Sequence, residues 1–191
     1  MRASIISRPD LVSTDDATDD SFTPASSRTL WRRWVSRTQG GRLLGEVCHF
    51  IDTCSAIVGA APDQVQAFGS ATGEVLLSQD LVVALRYPDG SLATIAYGAA
   101  GHASMSKERM EIIGRGHAVV IDDFRTCTVD GKEAWKGHQD KGHAALLKQF
   151  RRELGGDGDA LATTGIETTA ATLAAALSLL DGQPQPVVST S

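Results

Sequence analysis

The chain has 191 residues, 42% of them hydrophobic and 21% charged, with a formal net charge of -5. These figures suit a soluble globular protein of one domain plus a loose end, and they leave little room for two full domains. The acidic balance, with no basic stripe carrying interleaved aromatics, speaks against a nucleic-acid surface, and the most apolar late run, from Ala170 to Leu180, is too short to cross a bilayer.

Cys48, Cys54 and Cys127 form neither a small disulfide scaffold nor a paired C-x-x-C metal site. With no long apolar core at the start of the kind a secretory signal needs, a reducing cytoplasm is the expected setting.

In chain order, residues 1 to about 28 are rich in Ser, Thr and Asp, show no sustained period, and read as a mobile extension. The segment from Thr29 to Val35, with Trp31 and Trp34, reads as a short helix or an ordered arm over an edge or partner surface. The expected division is therefore an N-terminal extension, residues 1–39, and a single domain, residues 40–191.

A helix is predicted from about Leu44 to Val58, because Leu44, Val47, Cys48, Ile51, Ser55 and Val58 follow the spacing of a buried stripe. With about 100° of turn per residue, Glu46, His49, Asp52 and Thr53 gather on the opposite side. That sets His49 apart from the core, in a titratable cluster able to meet a ligand.

Strand grammar follows from Gln64 to Phe68. Leu81 to Tyr87 and Ser91 to Tyr97 flank Pro88-Asp89-Gly90, a tight turn in which Asp-Gly supplies the positive φ, so these two strands should pair antiparallel. Further strands are expected at Arg109 to Ile113, Ala118 to Asp122 and around Thr126 to Val129, separated by the Gly114-Arg115-Gly116 and Asp130-Gly131 turns. Asp140 is the expected N-cap of a helix through His143, Leu146, Leu147, Phe150 and Leu154, ended by Gly155-Gly156, and a last helix should run from about Ile166 to Leu180. The sum is an α+β fold, a mostly antiparallel open sheet with helices packed on one face. The open face is expected to meet another subunit.

The run from Gly40 to Asp52, G-G-R-L-L-G-E-V-C-H-F-I-D, resembles the start of the C-terminal domain in the glucose-fructose oxidoreductase, inositol dehydrogenase and MocA (Gfo/Idh/MocA) family. Asp80 to Tyr97 looks like that family's central hairpin, Lys107 to Gly114 like its next strand, and Asp122-Asp123-Phe124 with Gln139 to His143 like its closing region. The resemblance covers roughly Gly40 to Val187. It implies a glyceraldehyde-3-phosphate dehydrogenase-like C-terminal domain that supplies much of a sugar or polyol site and the oligomer interface.

In such enzymes an N-terminal Rossmann domain binds NAD(P), yet this sequence has no strand–G-x-G-x-x-G–helix unit and no Glu-Lys-Pro segment. Gly114-Arg115-Gly116 leads into a strand, not into a helix N-terminus fit for a pyrophosphate. The expectation is a truncated or stand-alone domain, inactive by itself, with no cofactor of its own and NAD or NADP entering only with a partner Rossmann domain. The alternatives are one half of a split oxidoreductase completed by a separate Rossmann subunit, and a non-catalytic assembly or sugar-binding module.

The resemblance makes His49 the catalytic candidate, a group that hydrogen-bonds the reacting hydroxyl and assists its deprotonation. Many members carry an aspartate four residues earlier, where this chain has Gly45 beside Glu46. Glu46 and Asp52 orient the imidazole or bind hydroxyls, or else form a solvated helix face, and Lys107 is a candidate for substrate contact along with Arg109. Cys48 belongs to the apolar stripe and no second histidine stands at helical ligand spacing, so no metal site is expected. His102, His117 and His138 lie in loops, and His143 reads as a capping or packing residue. The expected partners are a second copy through the sheet face, a Rossmann subunit and a sugar or polyol, with no nucleic acid and no membrane.

Overall fold

The structure is a computed structural model that describes residues 2–7, 41–71, 73–99, 102, 104–156 and 161–188. Among them are the strands β1 (Arg2–Ser7), β2 (Gln64–Gly69), β3 (Leu81–Arg86), β4 (Leu92–Tyr97), β5 (Glu108–Gly114), β6 (His117–Asp122), β7 (Thr126–Val129), β8 (Lys132–Lys136) and β9 (Gln185–Pro186). They form one sheet in the order β8-β7-β6-β5-β1-β4-β3-β2-β9. Every pairing is antiparallel except that of β1 with β4. The helices are α1 (Cys48–Val58), α2 (His143–Leu154) and α3 (Leu161–Asp181).

The predicted hairpin is the best-defined part. Gly90 takes φ +83°, and β3 alternates strictly between buried Leu81, Val83 and Leu85 and exposed Val82, Ala84 and Arg86. Register carries the buried row across the sheet: Ala67 faces Val83, and Val83 faces Ile95. Against this row pack Leu43, Val47, Ile51 and Cys54 from the α1 region and Ala171, Ala175 and Leu179 from α3. Each fully buried Leu, Ile or Val side chain contributes about 1.5–3 kcal/mol. Two polar ties add position to that packing: the Ala67 amide donates to Ser178 Oγ at 3.0 Å, and Thr168 Oγ1 donates to Asp52 Oδ1 at 2.8 Å.

The α+β class and the helix-covered sheet face stand as expected. Several details differ. Arg2–Ser7, read as part of a mobile extension, is strand β1 between β4 and β5. Its sequence, Arg-Ala-Ser-Ile-Ile-Ser, shows no clean apolar alternation, and both of its partners lie far along the chain. The Trp31 and Trp34 arm, with the rest of residues 8–40, lies outside the described residues. Strand β8 went unpredicted because all five of its residues are exposed, which leaves no apolar alternation to read.

Asp140 does not cap α2. Gly142, in the left-handed region at φ +77°, occupies the cap, and Asp140 Oδ1 instead accepts the Gly142 amide at 2.8 Å in a turn just before the helix. The last helix starts earlier than predicted, at Leu161.

Candidate functional site

The G-G-R-L-L-G-E-V-C-H-F-I-D run begins with a close approach. Gly41 has φ +69°, and a Cβ there would stand 2.2 Å from the Leu76 carbonyl oxygen, so only glycine lets the chain pass this turn and enter the helix. The next residues, Leu43–Val47, wind as one π-helical turn before α1 proper. The Cys48 amide reaches back to the Leu43 carbonyl, and the Cys48 thiol donates to the Leu44 carbonyl at 3.1 Å. The buried stripe is Leu43, Val47, Ile51 and Cys54. Leu44 and Ser55, expected in that stripe, give way to Leu43 and Cys54, and Leu44 is exposed.

His49 is exposed, as its angular position predicts, and Thr53 Oγ1 donates to its backbone carbonyl at 2.7 Å. Glu46 is half-buried and sits among the charges of Arg42, His49, Lys107 and Glu108. Burial pushes the Glu46 carboxyl above its ordinary range; the Arg42, His49 and Lys107 charges pull it down less strongly, and Glu108 adds to the rise. Lys107 is half-buried at the entry to β5, and its charge and that of His49 both act on Glu46. Asp52 is half-buried, and its Oδ1 accepts the hydrogen bond from Thr168 of α3.

The sheet supplies the floor. Ser7 at the end of β1 is in register with both Tyr97 at the end of β4 and Glu108 at the start of β5, which brings those two residues to one edge on the helix-covered face. Arg42 is 5% exposed and Tyr97 3% exposed. Arg42 Nε donates to Gln79 Oε1 at 3.2 Å, while its Nη1 and the Tyr97 hydroxyl have no hydrogen-bond partner among the described residues. Burial pushes the Tyr97 phenol up to about 12, against the opposing pull of the neighbouring Arg42 cation. Lys141 Nζ reaches Glu108 Oε1 at 2.8 Å from the loop before α2.

That loop is the predicted closing region, and it does meet the Asp122 to Phe124 turn. Gln139 Nε2 donates to the Asp123 carbonyl at 3.0 Å, and the Asp140 amide donates to the Phe124 carbonyl at 3.3 Å.

Arg42, Tyr97, Glu108 and Lys141 escaped sequence reasoning. Arg42 stands one helical turn before Glu46 and was open to detection by that spacing. The others converge only through β1 pairing and the closing loop. Arg109, a candidate for substrate contact, is paired with Glu111 at 2.8 Å.

The remaining titratable groups are held elsewhere. Burial raises the Cys48 thiol and pushes the Cys54 thiol up to about 12, which makes both poor nucleophiles. His117 Nδ1 pairs with Asp130 at 2.8 Å, His102 Nδ1 lies 2.9 Å from Ser104 Oγ, and His138 and His143 are exposed. Among the described residues no group of three or more His, Cys, Asp or Glu is placed to hold a metal ion, and no helix is long and apolar enough to cross a membrane. Nor does any glycine-rich turn among them join a strand to a helix N-terminus, so these residues do not fit a dinucleotide.

Solved structures share this fold. An NAD-binding oxidoreductase from Klebsiella pneumoniae matches with a TM-score of 0.72 and 15% identity over 98% of this chain and 58% of its own. A myo-inositol dehydrogenase from Corynebacterium glutamicum matches with a TM-score of 0.67 and 16% identity over 98% of this chain and 56% of its own. The WlbA dehydrogenase from Bordetella pertussis, solved with NADH and UDP-GlcNAcA, matches with a TM-score of 0.66 and 16% identity over 98% of this chain and 54% of its own. The chain thus spans little more than half the length of these proteins, and identities this low carry the fold alone. No curated protein matches the chain. The family model for the Gfo/Idh/MocA C-terminal domain matches residues 13–120, more than half of the chain and beginning inside the segment set apart as an extension. The chain belongs to the Gfo/Idh/MocA C-terminal domain family.

Proposed function

We propose that this chain is the substrate-binding and oligomerisation domain of an NAD(P)-dependent sugar or polyol oxidoreductase whose dinucleotide-binding domain lies outside the described residues. One observation carries the reading: an exposed histidine, His49, and the half-buried Lys107 both act by their charge on the half-buried Glu46, on a helix that opens with the family's motif. In this role the His49 imidazole accepts the proton of the reacting hydroxyl. Glu46 and Lys107 hold neighbouring hydroxyls, Glu46 from a partly desolvated position where a hydrogen bond is stronger than in water. Asp52 serves helix packing, since Thr168 already occupies its carboxylate. The substrate class is supported by similarity to a myo-inositol dehydrogenase and to a WlbA dehydrogenase solved with NADH and UDP-GlcNAcA.

Assembly is assigned to the open sheet face. Phe68, Val82, Leu92 and Ile113 are exposed there, and register places all four on the side away from α1 and α3. Large exposed apolar residues that line one sheet face are the mark of an interface.

Titration calorimetry with NAD and NADP, paired with sedimentation of the purified chain, tests this reading. An oligomer with no dinucleotide heat is expected. Tight binding of either dinucleotide, or a monomer at every concentration, would overturn it.

A further inference from the structure

Two buried side chains of the site hold polar atoms with no hydrogen-bond partner among the described residues, Nη1 of Arg42 and the hydroxyl of Tyr97. Native interiors pair nearly all such groups, so each exception calls for a partner that reaches it. The fold brings the two side chains to one place. Arg42 Nε donates to Gln79 Oε1 at 3.2 Å, Gln79 stands two residues before Leu81, and Leu81 is the ladder partner of Tyr97. The Arg42 cation acts directly on the Tyr97 phenol.

Both groups can donate, and the partner they lack is an acceptor. Three acids belong to this neighbourhood: Glu46 and Asp80 act on Tyr97, and Glu108 acts on Glu46. Asp80 Oδ1 already accepts the Ala99 amide at 2.8 Å, and Glu108 Oε1 is held by Lys141 at 2.8 Å. No such tie holds Glu46 among the described residues. It follows Arg42 by four positions, the spacing at which opposite charges on a helix meet, and Arg42 acts on it more strongly than its other charged neighbours do.

We propose that Arg42 and Tyr97 are positioning residues for Glu46: once ionised, its carboxylate turns one oxygen onto Arg42 Nη1 and the Tyr97 hydroxyl and keeps the other for a hydroxyl of the sugar or polyol. The last part rests on the function proposed above. One carboxylate oxygen accepts two hydrogen bonds, and bonds from a cation and a phenol offset the cost of carrying charge in a half-buried position. His49 on the same helix and Lys107 before β5 favour the ionised form too, while burial and Glu108 oppose it. Burial pushes the Tyr97 phenol up to about 12, so it remains a donor throughout the range in which a carboxyl titrates.

The test follows the Glu46 side-chain carboxyl by carbon-13 NMR across pH in the 191-residue chain. Tyr97→Phe, which removes the hydroxyl alone, should raise the Glu46 midpoint by about one pH unit, and Arg42→Met by at least as much, with part of the rise recovered in Arg42→Lys. Urea denaturation adds a readout that keeps the proposal testable should the Arg42 variants not fold. Tyr97→Phe should lose stability relative to wild type as pH rises through the Glu46 midpoint, and that pH-dependent loss should vanish in a Glu46→Gln background. An unmoved Glu46 midpoint in Tyr97→Phe, or a pH-dependent loss that persists in the Glu46→Gln background, would overturn the proposal. Failure of the underlying reading shows separately, since the titration needs no substrate: full turnover with His49→Ala removes the catalytic assignment and leaves the Glu46 midpoints as they are.

Discussion

Thr168 Oγ1 donates a 2.8 Å hydrogen bond to the Asp52 carboxylate, which ties the motif helix α1 to α3 one turn beyond His49. The bond spans 116 positions of sequence and turns an acid of the motif into a packing element. A hydrogen bond to a charged group contributes about 1.5–3 kcal/mol, and the half-buried setting puts this one toward the low end. Thr168→Val should lower the unfolding free energy by about 1–2 kcal/mol, measured by urea denaturation. An unchanged midpoint would show that the two helices hold each other by apolar packing alone.

The two glycines of the motif should respond in opposite directions. Gly41→Ala places a methyl 2.2 Å from the Leu76 carbonyl at φ +69° and should destabilise by more than about 1 kcal/mol. Gly45 has nothing within 4 Å of where a Cβ would sit and needs no positive φ, so Gly45→Ala should stabilise by about 0.5–1 kcal/mol. Thermal melting of both variants checks the pair. Equal losses would mean that the π turn, and not the approach to Leu76, demands glycine.

Glu46 sets a pH dependence whose sign follows from its environment. Burial raises its pKa in the folded state above the unfolded value, so between those two values the folded protein binds more protons than the unfolded one. Stability from this group is full below the unfolded value near 4.5 and is lost as pH rises through the folded value. Glu46→Gln removes that loss. The stability difference, variant minus wild type, should therefore grow as pH climbs above the ordinary glutamate range, in urea titrations at stepped pH. A flat difference would contradict the desolvation of Glu46.

Much of this architecture is legible in the chain because its signals are local. The Asp89-Gly90 turn and the alternation from Leu81 to Arg86 specify a hairpin on their own. The motif helix was legible in extent and at Val47 and Ile51 of its buried stripe, but Leu43 and Cys54 stand there instead of Leu44 and Ser55, and Leu43–Val47 winds as a π turn. No residue-type preference announces such a turn. The site was half legible for the same reason: Glu46 and His49 share one helix, whereas Tyr97 and Glu108 meet only through their common register with Ser7. The bond from Thr168 to Asp52 was not legible, because Thr168 lies in a helix whose docking no spacing rule specifies.

The central claim concerns His49, and turnover measures it most directly. With a dinucleotide-binding partner and a sugar or polyol substrate, a complex carrying His49→Ala should lose about 10²–10⁴-fold in kcat, the usual worth of a positioned general base. Its dinucleotide affinity and its oligomeric mass should stay unchanged. Full turnover by that complex would contradict the account and leave this domain as scaffold alone.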